Sequence, residues 1–489
     1  TTGLDNVAMG KSALSAETSG ARSVAIGSNS LTAQNVGSGA AVYNTAVGYD
    51  AGYAITTGIK NTLMGGLAGD AITDADSNVA IGFESLTTNV LGSKSVAVGQ
   101  GSLSNQNPAT AADMYNVGVG YNAGANATTG NENTAMGHTA LFTNILSDRN
   151  VAIGVDALSV HNQATSVDSY NTAVGYAAGE KVTTGVENTL IGGLAGDALT
   201  DADFNVAIGR GALTTDTLGS RSVAVGKNTL HAQNFTTATN SDNTAVGYET
   251  GRSITTGVDN CLFGSNAGYA LTDADDNVAL GRSALATDTL GNKSIAIGNN
   301  ALNAQNFTTA TDSNNVAVGH RAGAAITTGT SNVLIGSSSG DALTTANENT
   351  VVGHFAMSNN VLGAKNVAIG TSTLSATNPA TATDMKNTAV GFQAGNSVTT
   401  GIQNVFVGAL AGNDCTTGSN NVVIGHNSDL AGVGTAQTIV IGQGVTGQAA
   451  NNFTFGFGAT DSNIAFGATS ITAPSDVRLK EDIQDETVG

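Results

Sequence analysis

One five-residue phrase returns along this chain at steps of 17 or 21 residues, and that spacing constrains the fold more than any other feature. The phrase is Asn or Ser, then an apolar residue or Thr, a small or apolar residue, an apolar residue and Gly, as in Asn78-Val-Ala-Ile-Gly82. It opens at Asn6 and Ser23 and recurs to Asn421 in 24 clear copies. A fixed period in this range marks a solenoid, in which each repeat is one coil stacked on its neighbour. Three coils of 17 and one of 21 make a super-period of 72, as from Asn171 to Asn243, Asn315 and Asn387. Between Asn116 and Asn171 the step is 55, because one coil of the second type is missing. A stack held together by nearest neighbours tolerates that loss.

Strand side chains alternate, so Val79 and Ile81 face one way and Ala80 the other. Gly82 stands where a tight turn needs an unhindered backbone. Four residues on, pairs such as Ser85-Leu86 suggest a second strand in each coil. The returning Asn, as at Asn61, Asn78, Asn205 and Asn277, is expected to stack as a ladder, its amide bonded to the turns above and below. After Asn421 the steps shorten: Thr438 keeps 17, Asn452 follows 14 later and Asn463 follows 11 later. Phe453, Phe455, Phe457 and Phe466 gather there, as a tapering end would require. The expectation is an all-β, parallel β-solenoid of about 27 coils, with regular repeats over 1–442 and tapering coils over 443–474. At about 4.8 Å per coil, such a stack would run to roughly 130 Å.

Composition narrows the function classes. Gly contributes 64 of 489 residues and Trp none, which suits a thin core where backbones stack closely. The net charge of −20, with no basic run, argues against nucleic acid or an anionic membrane as partner. No apolar run reaches membrane-spanning length and no signal peptide is visible. The absence of an initiating Met is expected of a fragment or a processed chain. Cys261 and Cys415 lie eight coils apart, roughly 38 Å at the strand spacing, beyond the reach of a disulfide.

Ser23-Val-Ala-Ile-Gly27, returned at near-constant spacing, closely resembles the YadA-type head of trimeric autotransporter adhesins. The resemblance covers the chain to about residue 467. It implies a left-handed parallel β-roll and three chains packed side by side, a homotrimeric fibre. Ser475-Asp476-Val477-Arg478-Leu479-Lys480, in the closing segment 475–489, resembles the junction that opens the endosialidase-type intramolecular chaperone of bacteriophage tail fibres. That likeness implies self-cleavage between Ser475 and Asp476, with Ser475 as nucleophile and Lys480 as its base. The chaperone itself does not follow within this sequence, so the chain is not expected to cut itself unaided.

The two likenesses together imply an extracellular fibre of a virion tail that meets a host receptor or glycan. A bacterial surface adhesin head is the nearest alternative, and a polysaccharide-degrading fibre is an alternative of another class. The latter needs paired carboxylates about 5–10 Å apart, and no unique acidic pair interrupts the repeat. The four-residue insertions near Asn107-Pro108, Asn234-Phe235, Asn306-Phe307 and Asn378-Pro379 are the candidate receptor loops. Asp74 with Asp76, Asp201 with Asp203, and Asp273 with Asp275 alternate oxygens as a Ca²⁺ loop would. The equivalent Thr345 and Asn347 lack both acids, which favours solvated turns and no required metal. Arg22, Lys94, Arg149, Arg221, Lys293 and Lys365 each precede the phrase of a long coil, and Lys293 is expected to pair with Asp276 one coil below. His138, His320, His354 and His426 follow the phrase Gly on the outside of a turn, too far apart to share a metal. Tyr49, Tyr121, Tyr176, Tyr248 and Phe392 take the same offset, a sparse stripe where isolated packing is favoured over glycan binding. Thr-Thr-Gly turns fall in one coil type of four, too few for an ice-matching face.

Overall fold

The computed structural model describes residues 3–37 and 39–468 and divides into two compact units, Thr1–Asn260 and Cys261–Gly489. Within each unit the phrases become strands, each paired in parallel with its neighbouring phrases along the chain. Val79–Ile81 lies between Thr62–Met64 and Val96–Val98, with Val79 opposite Val96, Ala80 opposite Ala97 and Ile81 opposite Val98. A step of 21 leaves the register intact, since Val96 still meets Val117. The first unit repeats this from Val7–Met9 to Thr244–Val246, and the second from Cys261–Phe263 to Asn452–Phe457. The chain is thus all-β, a parallel β-solenoid of about 26 turns, with no helix among the described residues.

The core is one layer of side chains deep. Ala80 is fully buried, Val79 is half-buried and Ile81 is exposed, so the small residue faces inward. Leu86 and Ile72 fill the space beside it. Where the phrase carries Leu63 in place of Ala, the turn gives up its own side chain: a Cβ on Gly69 would sit 2.9 Å from Leu63, and one on Gly52 at 2.7 Å. Large and small residues thus exchange places between strand and turn, as close packing of a constant cross-section demands.

The expected second strand at Ser85-Leu86 is instead a turn. Leu86 and Glu84 adopt φ of 51° and 59°, in the left-handed region that non-glycine residues avoid. Stacking holds them there, because Leu86 N–H donates to the Ser102 carbonyl and Glu84 N–H to the Gly66 carbonyl, in the coils on either side. Gly82, at φ 136°, permits no other residue: a Cβ would lie 2.5 Å from the Gly99 carbonyl oxygen. Among the described residues the second strands are two residues long and join a long coil to the short coil before it, as Ala112–Asp113 on Gly92–Ser93 and Thr311–Asp312 on Gly291–Asn292.

The tapering end also departs from expectation. Asn452–Phe457 pairs in parallel with Ile439–Gln443 as one more coil. Asn463 opens no further coil, for Thr460–Ala465 runs back antiparallel to Asn452–Phe457. Eleven residues are too few to circle the core. Phe457 pairs with Thr460 across a two-residue turn in which Gly458 takes φ 61°.

Candidate functional site

The buried Asn are fully engaged. Asn78 Oδ1 accepts from Ser95 N–H at 2.9 Å, one coil on, while its Nδ2 donates to the Gly92 carbonyl at 3.0 Å. Asn61 and Asn205 repeat this, with N–H acceptance from Asn78 and Ser222, and Asn277 does so toward Ser294. All four are fully buried. Such groups cannot meet a ligand; they join coil to coil.

Where Ser replaces Asn at the head of a long coil, a second polar network takes over. Ser95 pairs with Gln106, whose Oε1 accepts from Ser95 Oγ and from Asn116 Nδ2 at 2.9 Å. Gln34, Gln233 and Gln305 do the same for Asn44, Asn243 and Asn315. The buried carboxylates Asp216 and Asp288 accept from Gln233 and Gln305 Nε2 and from the N–H of Phe235 and Phe307. Coils with Pro108 or Pro379 at that point lack the N–H, and there Asn89 and Asn360 stand in place of Asp. Where the head is Asn150 or Asn366, the Gln gives way to His161 and Thr377. His161 is fully buried and neither ring nitrogen is hydrogen-bonded. Burial lowers its pKa to about 4. These exchanges are periodic and legible in the sequence, but only when the long coils are compared with one another.

The Asp turns are structural acceptors. Asp76 Oδ1 accepts from Ile59 N–H at 2.7 Å and Asp203 Oδ1 from Val186 N–H at 2.8 Å. Asn347 Oδ1 accepts from Thr330 N–H at 2.8 Å in the same way, so the position needs an acceptor and not a charge. Asp275 N–H donates to Asn292 Oδ1. Asp74, Asp201 and Asp273 are exposed. No group of three or more His, Cys, Asp and Glu is placed to share a metal among the described residues.

The cations of the long coils reach upward. Lys293 pairs with Asp312, not with Asp276, and Lys94 and Lys365 pair with Asp113 and Asp384. The two-residue second strand carries each acid 19 residues on, which places it beside the cation. Arg149 bridges Glu132 below and Asp168 above. Lys94 also lies over the Tyr115 ring, 5.2 Å from its centre. The amine–carboxylate hydrogen bond holds Asp113 and Asp384 below the usual carboxylate range.

The receptor-loop candidates divide. Asn107 is exposed, while Pro108, Phe235, Phe307 and Pro379 are tucked inside, leaving 109–111, 236–238, 308–310 and 380–382 in solvent. His138, His320, His354 and His426 are exposed, and His138 stacks on Tyr121 at 5.3 Å in the adjoining coil. Cys261 is half-buried and Cys415 buried; both are free thiols, and burial pushes Cys415 up to about 12. Asp429, beside Asp414, rises to about 6, again mainly by burial. A cleft of about 620 Å³ in the first unit is lined by Asn and Thr around the Asn107 loop.

The outer face of the phrase sheet carries a column of exposed apolar side chains. In the first unit it carries Met64, Ile81, Met136, Ile153 and Ile191 in one column, each at least 36% exposed. The second unit continues the pattern with Leu280, Ile335, Ile369 and Ile424. Val or Thr at the phrase's second position forms a parallel, half-buried column beside it.

No protein-family model and no curated protein matches the chain. The suggested cleavage site, Ser475, Asp476 and Lys480, lies outside the described residues. No helix among the described residues is long and apolar enough to cross a membrane.

Proposed function

We propose that this chain is a structural, adhesive protein: the shaft of a bacteriophage tail fibre, built from three copies and carrying host-receptor contacts on its side loops. One observation carries the reading. The outer sheet face of each unit presents an unbroken apolar column at the fourth phrase position, flanked by Val and Thr, and single soluble chains rarely leave so long an apolar strip in water. Three copies around an axis would bury those columns against one another, with ion pairs such as Lys94–Asp113 remaining on the flanks. Left-handed winding of the roll belongs to the same reading, as does an extracellular place on a virion. So does cutting of the Ser475–Asp476 bond when a chaperone module follows.

Sedimentation of the purified chain tests the assembly. The expected mass is three times 48.3 kDa. Ile153→Lys combined with Ile208→Lys, both on the outer face, should yield single chains with unchanged circular dichroism. A monodisperse single-chain particle from the unaltered protein would overturn the trimer.

A further inference from the structure

The missing coil between Asn116 and Asn171 lies beside the 620 Å³ cleft. Successive long coils are elsewhere separated by three short ones, but only the coils of Asn116 and Asn133 separate the long coils of Ser95 and Asn150. The insertions that follow Gln106 and His161 are therefore three coil spacings apart and not four, about 14 Å against about 19 Å. Asn107 and Asn162 open those insertions and both line the cleft.

The lining is four Asn, three Thr and Ile145, with no charged residue. Asn105 Nδ2 donates to Asn126 Oδ1 at 2.9 Å, which leaves Asn105 Oδ1 as an acceptor and Asn126 Nδ2 with donors to spare. The side-chain amides of Asn107 and Asn162 bond to nothing within the chain among the described residues. Their backbone N–H groups are already taken, by the carbonyls of Thr128 and Thr183. There is thus no open strand edge for a peptide to join, and only one apolar side chain to seat one. The absence of cations argues against phosphate or nucleic acid, and the net charge of −20 repels anionic polymers. Paired amide donors and acceptors without charge match sugar hydroxyls, which also both donate and accept.

We propose that this cleft binds a short segment of a neutral oligosaccharide, with Asn105, Asn107, Asn126 and Asn162 supplying the polar contacts. The proposal rests on the adhesive reading above and names the ligand class for one of its surfaces. The missing coil creates the site by bringing two insertions to a spacing that the remaining super-periods do not offer.

The full chain should be titrated calorimetrically with neutral hexasaccharides of glucose, mannose, galactose and N-acetylglucosamine, and with a sialic acid oligomer and an uncharged peptide. At least one neutral sugar is expected to bind, in the micromolar to millimolar range typical of small polar sites, and the sialic acid oligomer and peptide are not. Asn107→Ala with Asn126→Ala should weaken binding more than tenfold. A second variant inserts a copy of residues 188–204 before Asn133, restoring the usual spacing; it should remain folded and lose binding. Binding that survives both variants, or binding only of the sialic acid oligomer or the peptide, overturns the proposal. So does a failure of every neutral sugar to bind. If the chain still adheres to host cells in any of those cases, the adhesive reading stands while the cleft assignment falls.

Discussion

Asn205 shows what a single position contributes in a stack. Its carbonyl oxygen satisfies Ser222 N–H and its amide satisfies the Gly219 carbonyl, and both lie where water does not reach. Asn205→Ala strands one donor and one acceptor, each costing about 1–3 kcal/mol. The expected loss is about 2–6 kcal/mol, read from chemical unfolding. Asn205→Asp keeps the acceptor but removes the donor, and buries a charge without a partner, so it should be at least as damaging. The sequence pattern alone indicated a ladder at this position. It did not reveal that Leu86 and its equivalents sit at left-handed φ, because local propensity opposes that conformation and only the hydrogen bonds of adjoining coils hold it.

Within one long coil, positions answer one another. A Ser at the head accompanies Gln eleven residues later, and an Asn at the head accompanies His161 or Thr377. Asn150 Oδ1 reaches Asn171 N–H itself, at 3.2 Å, where the shorter Ser cannot. Asn150→Ser and His161→Gln should each be unfavourable alone and compensate when combined, a coupling that a double-mutant cycle would measure. The coil of Asn150 also responds to acid. Unfolded His takes a proton below about 6.5, whereas His161 stays neutral down to about 4. Its contribution is therefore complete above pH 6.5 and falls away as pH drops toward 4, by about 3 kcal/mol in all. The double variant should flatten that slope in thermal midpoints recorded between pH 7 and pH 4. Sequence reading put the Lys293 partner on Asp276 because it assumed a straight column. The two-residue strand at Thr311–Asp312 carries a nearer carboxylate, and a pairing of that kind is settled by local backbone path.

At the scale of the whole molecule, stability is a sum of coils and the contacts between neighbours. Removing residues 188–204, one full coil of the first unit, should leave a folded protein with unchanged circular dichroism per residue. The chain has already lost a coil of that type near Asn133. Removing half as many residues should unfold the neighbouring coils, since every phrase beyond would fall out of register. Limited proteolysis distinguishes the two outcomes.

The returning pentad by itself determined the class of fold, the principal strand of each coil, its register and the polar ladder. All of these follow from a period that one polymer geometry satisfies. Tertiary structure decided the rest: the turn where a second strand was expected, the hairpin that ends the stack at Thr460–Ala465, the burial of Phe235 and Phe307, and the cleft beside the missing coil. Each depends on which atoms of one coil lie over which atoms of the next, a relation between residues distant along the chain that no local pattern encodes.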